Sequence, residues 1–147
     1  MKALLVIGSI VAALTAAGIA NAGGNGAYVY KSSTCNDTIF GKICVDQKSV
    51  TNITTTPSGN ESYITNGQLD FSFANRLTGC TSSSSQKFHT SFLDKDGEAQ
   101  SHGSRYVTTS QVGCGGGPVQ TCLTVVAFHY GRGEIQFDRT DVACTTE

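Results

Sequence analysis

Three histidines are the side chains of this chain best suited to acid–base chemistry or metal binding. His89, His102 and His129 are separated by 13 and 27 residues, whereas compact sites often draw two groups from neighbouring positions of one element. His129 lies in an apolar run, which is typical of a hydrogen-bonded strand residue, and His102 stands in a Ser-His-Gly-Ser stretch, which is typical of a loop. The spacing therefore predicts no metal site.

Any catalytic centre in this chain would have to be assembled from distant segments. His89 or His129 would then be the base, and Asp70, Glu134 or Asp138 its carboxylate partner. The sequence has no Gly-x-Ser-x-Gly elbow, the motif that places a nucleophilic serine after a strand. We expect no catalytic residues, and a small secreted hydrolase or toxin is the alternative.

Cysteine chemistry is the strongest signal. The six cysteines are Cys35, Cys44, Cys80, Cys114, Cys122 and Cys144. Cys114 and Cys122 could ligate zinc with two histidines, but an even number in an exported chain favours three disulfides over metal ligands or a free nucleophilic thiolate. Sequence alone does not choose among the pairings; we expect Cys35–Cys44 and Cys114–Cys122 around short turns, which leaves Cys80–Cys144.

Two short stretches resemble ion-binding loops without completing them. Residues 94–98 alternate acids as a calcium loop does, but no acid follows at residues 101–106, so a hairpin turn is the simpler interpretation. Residues 113–118 are glycine-rich but lack the Lys and Ser/Thr of a phosphate-binding loop. A rigid loop at residues 115–118 would suit a disulfide-rich inhibitor. We expect no cofactor.

The N-terminal residues are typical of a secretory signal peptide. Lys2 precedes an apolar Ala-rich run, and Ala20-Asn21-Ala22 matches a small-residue cleavage site. The run is too short and too interrupted for a retained membrane anchor. We expect residues 1–22 to be a signal peptide, residues 23–147 to be one secreted β domain, and the location to be secreted or periplasmic.

The charge of the predicted mature chain excludes some partners. Without Lys2 it has nine Lys and Arg against eleven Asp and Glu, a net charge of −2, with no basic cluster. Nucleic acid and anionic membranes attract strongly basic surfaces. We therefore expect no nucleic-acid partner and no membrane insertion after signal cleavage; an extracellular protein or carbohydrate is the expected partner.

Short alternating runs of β-branched and aromatic residues predict strands throughout the chain. The clearest is a hairpin of residues 61–65 and 68–73 around an Asn66-Gly67 type I′ turn, with Leu69, Phe71 and Phe73 on one buried side. Residues 121–130 are apolar on both sides, which predicts a central covered strand. Residues 82–85 and 115–117 are low-complexity stretches, which we expect to be loops.

Seven or eight such strands with turns between them predict an all-β fold. We expect a disulfide-stabilised antiparallel β-sandwich, Ig-like or jelly-roll-like, with a small β-barrel as the alternative. Three Asn-x-Ser/Thr triplets, at Asn36, Asn52 and Asn60, are interpreted as exposed positions that would be glycosylated only on a eukaryotic export route. We expect a non-enzymatic binding, adhesive or structural module, with the hydrolase or the inhibitor as alternatives.

Overall fold

The computed structural model describes residues 25–96 and 98–147, and the chain in this part is all-β. Its seven strands are β1 (Gly26–Thr38), β2 (Gly41–Thr55), β3 (Glu61–Asn75), β4 (Cys80–Lys95), β5 (Glu98–Cys114), β6 (Gln120–Gly131) and β7 (Glu134–Thr146). The predicted signal peptide at residues 1–22 lies outside the described residues.

The strands form one antiparallel sheet in the order of the chain, β1 to β7. Strands contact only their sequence neighbours in the described part, so the sheet is open, with β1 and β7 at its edges. The expected all-β class is confirmed. The two layers of a sandwich and the closure of a barrel are not shown, because the described residues form one open sheet.

The absence of a second layer leaves this sheet with almost no core. Ile53, at 4% exposure, is the one large apolar side chain among the described residues that is buried. β6 was expected to be covered on both sides, and this prediction is wrong: Leu123 is 44% exposed, and β6 is next to the edge strand β7. Apolar side chains in the sequence thus predict a strand, but they do not predict which other element covers it.

The predicted hairpin at Asn66-Gly67 is also wrong, because β3 runs straight through both residues. Gly67 faces Phe88 of β4, and a Cβ built on Gly67 would lie 2.3 Å from Cζ of that ring. The glycine is therefore needed for a close approach of the ring to the strand. A two-residue turn does occur between β6 and β7, where Arg132 and Gly133 have φ of 56° and 83°, the positive values that a type I′ turn requires.

The strands are longer than the sequence predicts, at 12 to 17 residues. Residues 82–85, expected to be a loop, lie inside β4 and pair with β3 and β5. Serine is small and polar, so four in a row give no apolar alternation, although their backbones complete the ladder. Residues 115–117 do lie in the connection between β5 and β6.

All six cysteines form disulfides, and each bond joins residues that face each other on neighbouring strands. The bonds are Cys35–Cys44 between β1 and β2, Cys80–Cys114 between β4 and β5, and Cys122–Cys144 between β6 and β7. The expected Cys35–Cys44 pairing is confirmed. The other two expected pairings are wrong, because strand register, rather than closeness in sequence, brings the thiols together.

Candidate functional site

The sheet separates two kinds of side chain onto its two faces. Successive residues of a strand point to opposite sides, so the register assigns each side chain to a face. The aromatic face is defined by ten of the twelve Tyr and Phe residues of the chain. They are Tyr28, Tyr30, Tyr63, Phe71, Phe73, Phe88, Phe92, Tyr106, Phe128 and Tyr130.

The other side of the sheet, which we call the polar face, carries the basic side chains. All seven Lys and Arg residues that lie in strands belong to it. They are Lys31, Lys42, Lys48, Lys87, Lys95, Arg105 and Arg139. The sheet is therefore amphipathic along its whole width.

Rings on the aromatic face contact one another across four strands. Phe92 lies 6.1 Å from Tyr63 and 6.2 Å from His102, and His102 lies 6.0 Å from Phe128, measured between ring centroids. These separations fall in the range of favourable aromatic pairs. Yet the rings of β3 to β6 are only half-buried, and Tyr28 and Tyr30 on the edge strand are 45% and 52% exposed.

A shallow depression of about 360 Å³ lies on the polar face. Its lining includes Asp46, Asp70, Ser85, Thr109 and Gln111. These side chains offer carboxylate, hydroxyl and amide groups on four neighbouring strands, β2 to β5. The depression therefore brings hydrogen-bond donors and acceptors together.

Asp70, one of the lining residues of this depression, is held in place by hydrogen bonds. The Gln68 amide donates to both Asp70 carboxylate oxygens, at 2.9 and 2.8 Å, and to Ser85 Oγ at 3.2 Å. Hydrogen bonds from Ser85 and Gln68, and then the charges of Lys48 and Lys87, lower the pKa of Asp70 below its ordinary value of 3.8. The carboxylate is thus charged and fixed at neutral pH.

Beside the depression, three lysines lie close together on the polar face. Lys31 of β1 is directly opposite Lys48 of β2, and Gln68 separates Lys48 from Lys87 of β4. Like charges directly opposite each other destabilise a strand pair. These lysines also border a second shallow depression with Val29 and Asn66.

The histidines are dispersed over both faces. His89 Nδ1 lies 2.8 Å from Asn66 Oδ1 on the polar face, and His102 Nε2 lies 3.0 Å from Ser104 Oγ on the aromatic face. The expectation that His102 is a loop residue is wrong, because it lies inside β5. Each of these two rings therefore has a neutral hydrogen-bond partner on its own face.

Of the proposed acid–base residues, only His129 and Glu134 are brought near each other. Glu134 pairs with Gly131, two residues from His129 on the same face, and its Oε1 accepts a hydrogen bond from Gln136 Nε2 at 3.1 Å. Asp138 faces Phe128 on the opposite side of the sheet. Asp70 lies four residues along β3 from the partner of His89, which is about 13 Å in an extended strand.

Neither proposed ion-binding loop gathers ligands. Within residues 25–96 and 98–147 there is no group of three His, Cys, Asp or Glu side chains that could hold a metal ion. Asp94 and Lys95 are the last residues of β4 rather than part of a ligand loop. Gly115 and Gly116 have positive φ, and the Gly117 N–H donates to the Cys114 carbonyl, which describes a turn.

The predicted surface positions of the Asn-x-Ser/Thr triplets are only partly confirmed. Asn36 and Asn52 are exposed in β1 and β2, whereas Asn60 is half-buried in the turn before β3.

In the described part of the chain, no helix is long and apolar enough to cross a bilayer.

The division of the sheet into two faces is not predicted above from the sequence, although its signal is present there. Phe88 and Phe92 alternate with Lys87 and His89, in phase with the alternation in β3 once the strands are paired. The register between strands was the missing information.

Comparison of the chain with family models, with curated proteins and with solved structures found no match in any of the three.

Proposed function

We propose that the chain is an exported, non-enzymatic binding module that holds an extracellular carbohydrate on the polar face of its sheet. The observation that carries this proposal is the depression that Asp70 lines, where hydroxyl, amide and carboxylate groups of neighbouring strands lie together and the Gln68 amide holds the Asp70 carboxylate. Carbohydrates present many hydroxyl groups that can both donate and accept hydrogen bonds at such a surface.

Export is part of the proposal. The N-terminal residues 1–22 have the pattern of a cleavable signal, and three disulfides fit an oxidising compartment. Secretion or delivery to the periplasm supplies the oxidant for these bonds. The sandwich expected from the sequence would then require a second sheet from outside this chain.

Binding to a panel of polysaccharides and glycans tests the ligand class. Gln111→Ala removes an amide that lines the depression and should weaken binding about tenfold, the effect of one lost hydrogen bond of about 1.4 kcal/mol. Gln100→Ala, an exposed glutamine at the other end of the same strand, should leave the affinity unchanged. Equal losses in both variants, or binding of a protein and no glycan, would contradict the proposal.

The absence of catalysis is tested with a panel of glycosidic, peptide and ester substrates. His129→Ala and Glu134→Gln alter the one histidine and carboxylate of the proposed acid–base set that the register brings near each other. We expect no hydrolysis by the wild-type chain above the buffer rate. Hydrolysis that His129→Ala abolishes would make the chain an enzyme.

A further inference from the structure

Within residues 25–96 and 98–147, no element packs against the aromatic face. Apolar side chains on this face remain strongly exposed at both edges, with Tyr30 at 52%, Ile135 at 62% and Val142 at 63%. Soluble proteins rarely leave a continuous apolar patch of more than a few hundred Å² uncovered. We therefore expect a partner to cover the aromatic face.

The size of the face is sufficient for a stable interface. Seven strands at a spacing of about 4.8 Å, with about 13 residues each at 3.4 Å per residue, give a face of roughly 1,500 Å². A standard interface buries about 800 Å² on each partner. Even a partial overlap of two such faces therefore exceeds that requirement.

The aromatic face carries few charges. Its strand positions carry no Lys or Arg among the described residues, so its interior can be desolvated without burying a cation. Its acids lie at the margins, with Glu61 and Asp94 at the strand ends and Asp138 on the edge strand β7. A face made mainly of aromatic, aliphatic, Ser and Thr side chains with no cation can pack on a second copy of itself without burying charge at its centre, and it offers no charged anchor to an unrelated protein.

The opposite face cannot serve the same purpose. Lys31 lies directly opposite Lys48 there, and Arg105 pairs with His89, so a close apposition of two polar faces would bury several like charges. Taking such charges out of water costs more than hydrophobic contact returns. The polar face therefore stays in solvent, where the ligand proposed above is available to it.

We propose that two copies of the chain pack aromatic face against aromatic face. The dimer is then a two-layer β-sandwich in which each copy supplies one sheet, with the strands of the two sheets crossing at about 30°. A two-fold axis through the face places Tyr106 and Phe88, in neighbouring central strands, near the middle of the contact. This inference is independent of the identity of the ligand on the polar face.

Sedimentation of the purified full-length secreted product over a range of concentrations tests this proposal. Tyr106→Lys puts a charge in the centre of the aromatic face, while Val107→Lys puts the same charge on the next residue of β5, which points to the polar face. We expect a wild-type dimer whose dissociation constant rises at least about 30-fold in Tyr106→Lys, as for an interface hot spot. Val107→Lys should remain dimeric.

Intact disulfides by mass and an unchanged β circular dichroism spectrum establish that each variant has folded, and Tyr106→Ser provides a milder change at the same position. A wild-type chain that is monomeric at every concentration would overturn the proposal. This holds even if the monomer binds an apolar dye, because dye binding would show an exposed face without a second copy on it. A dimer that survives Tyr106→Lys and is lost in Val107→Lys would place the contact on the polar face and overturn it equally.

Discussion

Gly67 lies in the middle of β3, where the ring of Phe88 from β4 occupies the space that a side chain would fill. A Cβ at this position would be 2.3 Å from Phe88 Cζ and 2.8 Å from the Lys48 carbonyl oxygen. Glycine in a strand interior normally costs stability through its flexible backbone. At position 67, glycine is favoured because any larger side chain would collide with the Phe88 ring.

Gly67→Ala should lower the free energy of unfolding by about 1–3 kcal/mol, the usual cost of forcing extra atoms into a packed site. The control is Gly103→Ala in β5, where the added Cβ would meet the Ser91 hydroxyl at 2.9 Å, a group that can rotate away. Urea unfolding of both variants measures the difference. Equal effects of the two substitutions would show that the Phe88 ring does not lie over Gly67.

Asp70 should make the free energy of unfolding fall as the pH is lowered into the acid range. Its folded-state pKa is lowered, first by the Ser85 and Gln68 hydrogen bonds, so its contribution is present above the ordinary pKa of 3.8 and is lost as the pH falls through the folded value. Between pH about 5 and about 2, the wild type should therefore lose more stability than Asp70→Asn. Parallel pH profiles for the two proteins would contradict this account of the carboxylate.

At the scale of the strand, the alternation of residues was informative and the local turn signal was misleading. Leu69, Phe71 and Phe73 do share one face, as their spacing predicts. Asn66-Gly67 has the composition of a turn, yet it lies inside a strand because the pairing with β2 and β4 continues on both sides. Local preference is a small term beside a ladder formed with two neighbours.

The three disulfides connect elements that the sequence alone could not order. All three lie near the end of the sheet where β1, β3, β5 and β7 finish. The Cys80–Cys114 and Cys122–Cys144 bonds close their hairpins at the ends away from the turns. Their pairing follows from which strands are neighbours, a property that the spacing of cysteines does not contain.

Removal of the Cys122–Cys144 bond by a double Cys→Ser change should destabilise the chain by about 3 kcal/mol, since its 22-residue separation constrains the unfolded chain. The matched control is removal of the Cys35–Cys44 bond, which joins the other edge strand to its neighbour. Its separation is 9 residues, so its removal should lower the free energy of unfolding by less. Denaturant unfolding gives both values. A larger loss from the Cys35–Cys44 change would be the contrary result.

At the scale of the molecule, the sheet makes little use of the hydrophobic effect within one chain, because Ile53 is the one buried large apolar residue among the described positions. The disulfides limit the freedom of the unfolded chain, and the proposed second copy would cover the aromatic face. The sequence predicted one apolar side for several strands, but it could not predict the covering layer, because alternation reports that a face is apolar and not what packs on it.

The candidate site shows the same limit. Asp70 was named as a possible catalytic partner of a histidine, and it lies instead among Gln68, Ser85 and Gln111 on the polar face. The residue type was visible in the sequence, but Ser85 and Gln111 come from two other strands, 15 and 41 positions further along the chain. Only the register places them together.

Covalent footprinting of the side chains on the two faces tests the central claim most directly. Tyrosine oxidation and lysine acylation would be compared in the wild type and in Tyr106→Lys at equal concentration. The account predicts that Tyr63 and Tyr130 are protected in the wild type and labelled in the variant, while Lys31, Lys48 and Lys87 are labelled alike in both. Equal labelling of Tyr63 and Tyr130 in the two proteins, or protection of the lysines, would contradict it.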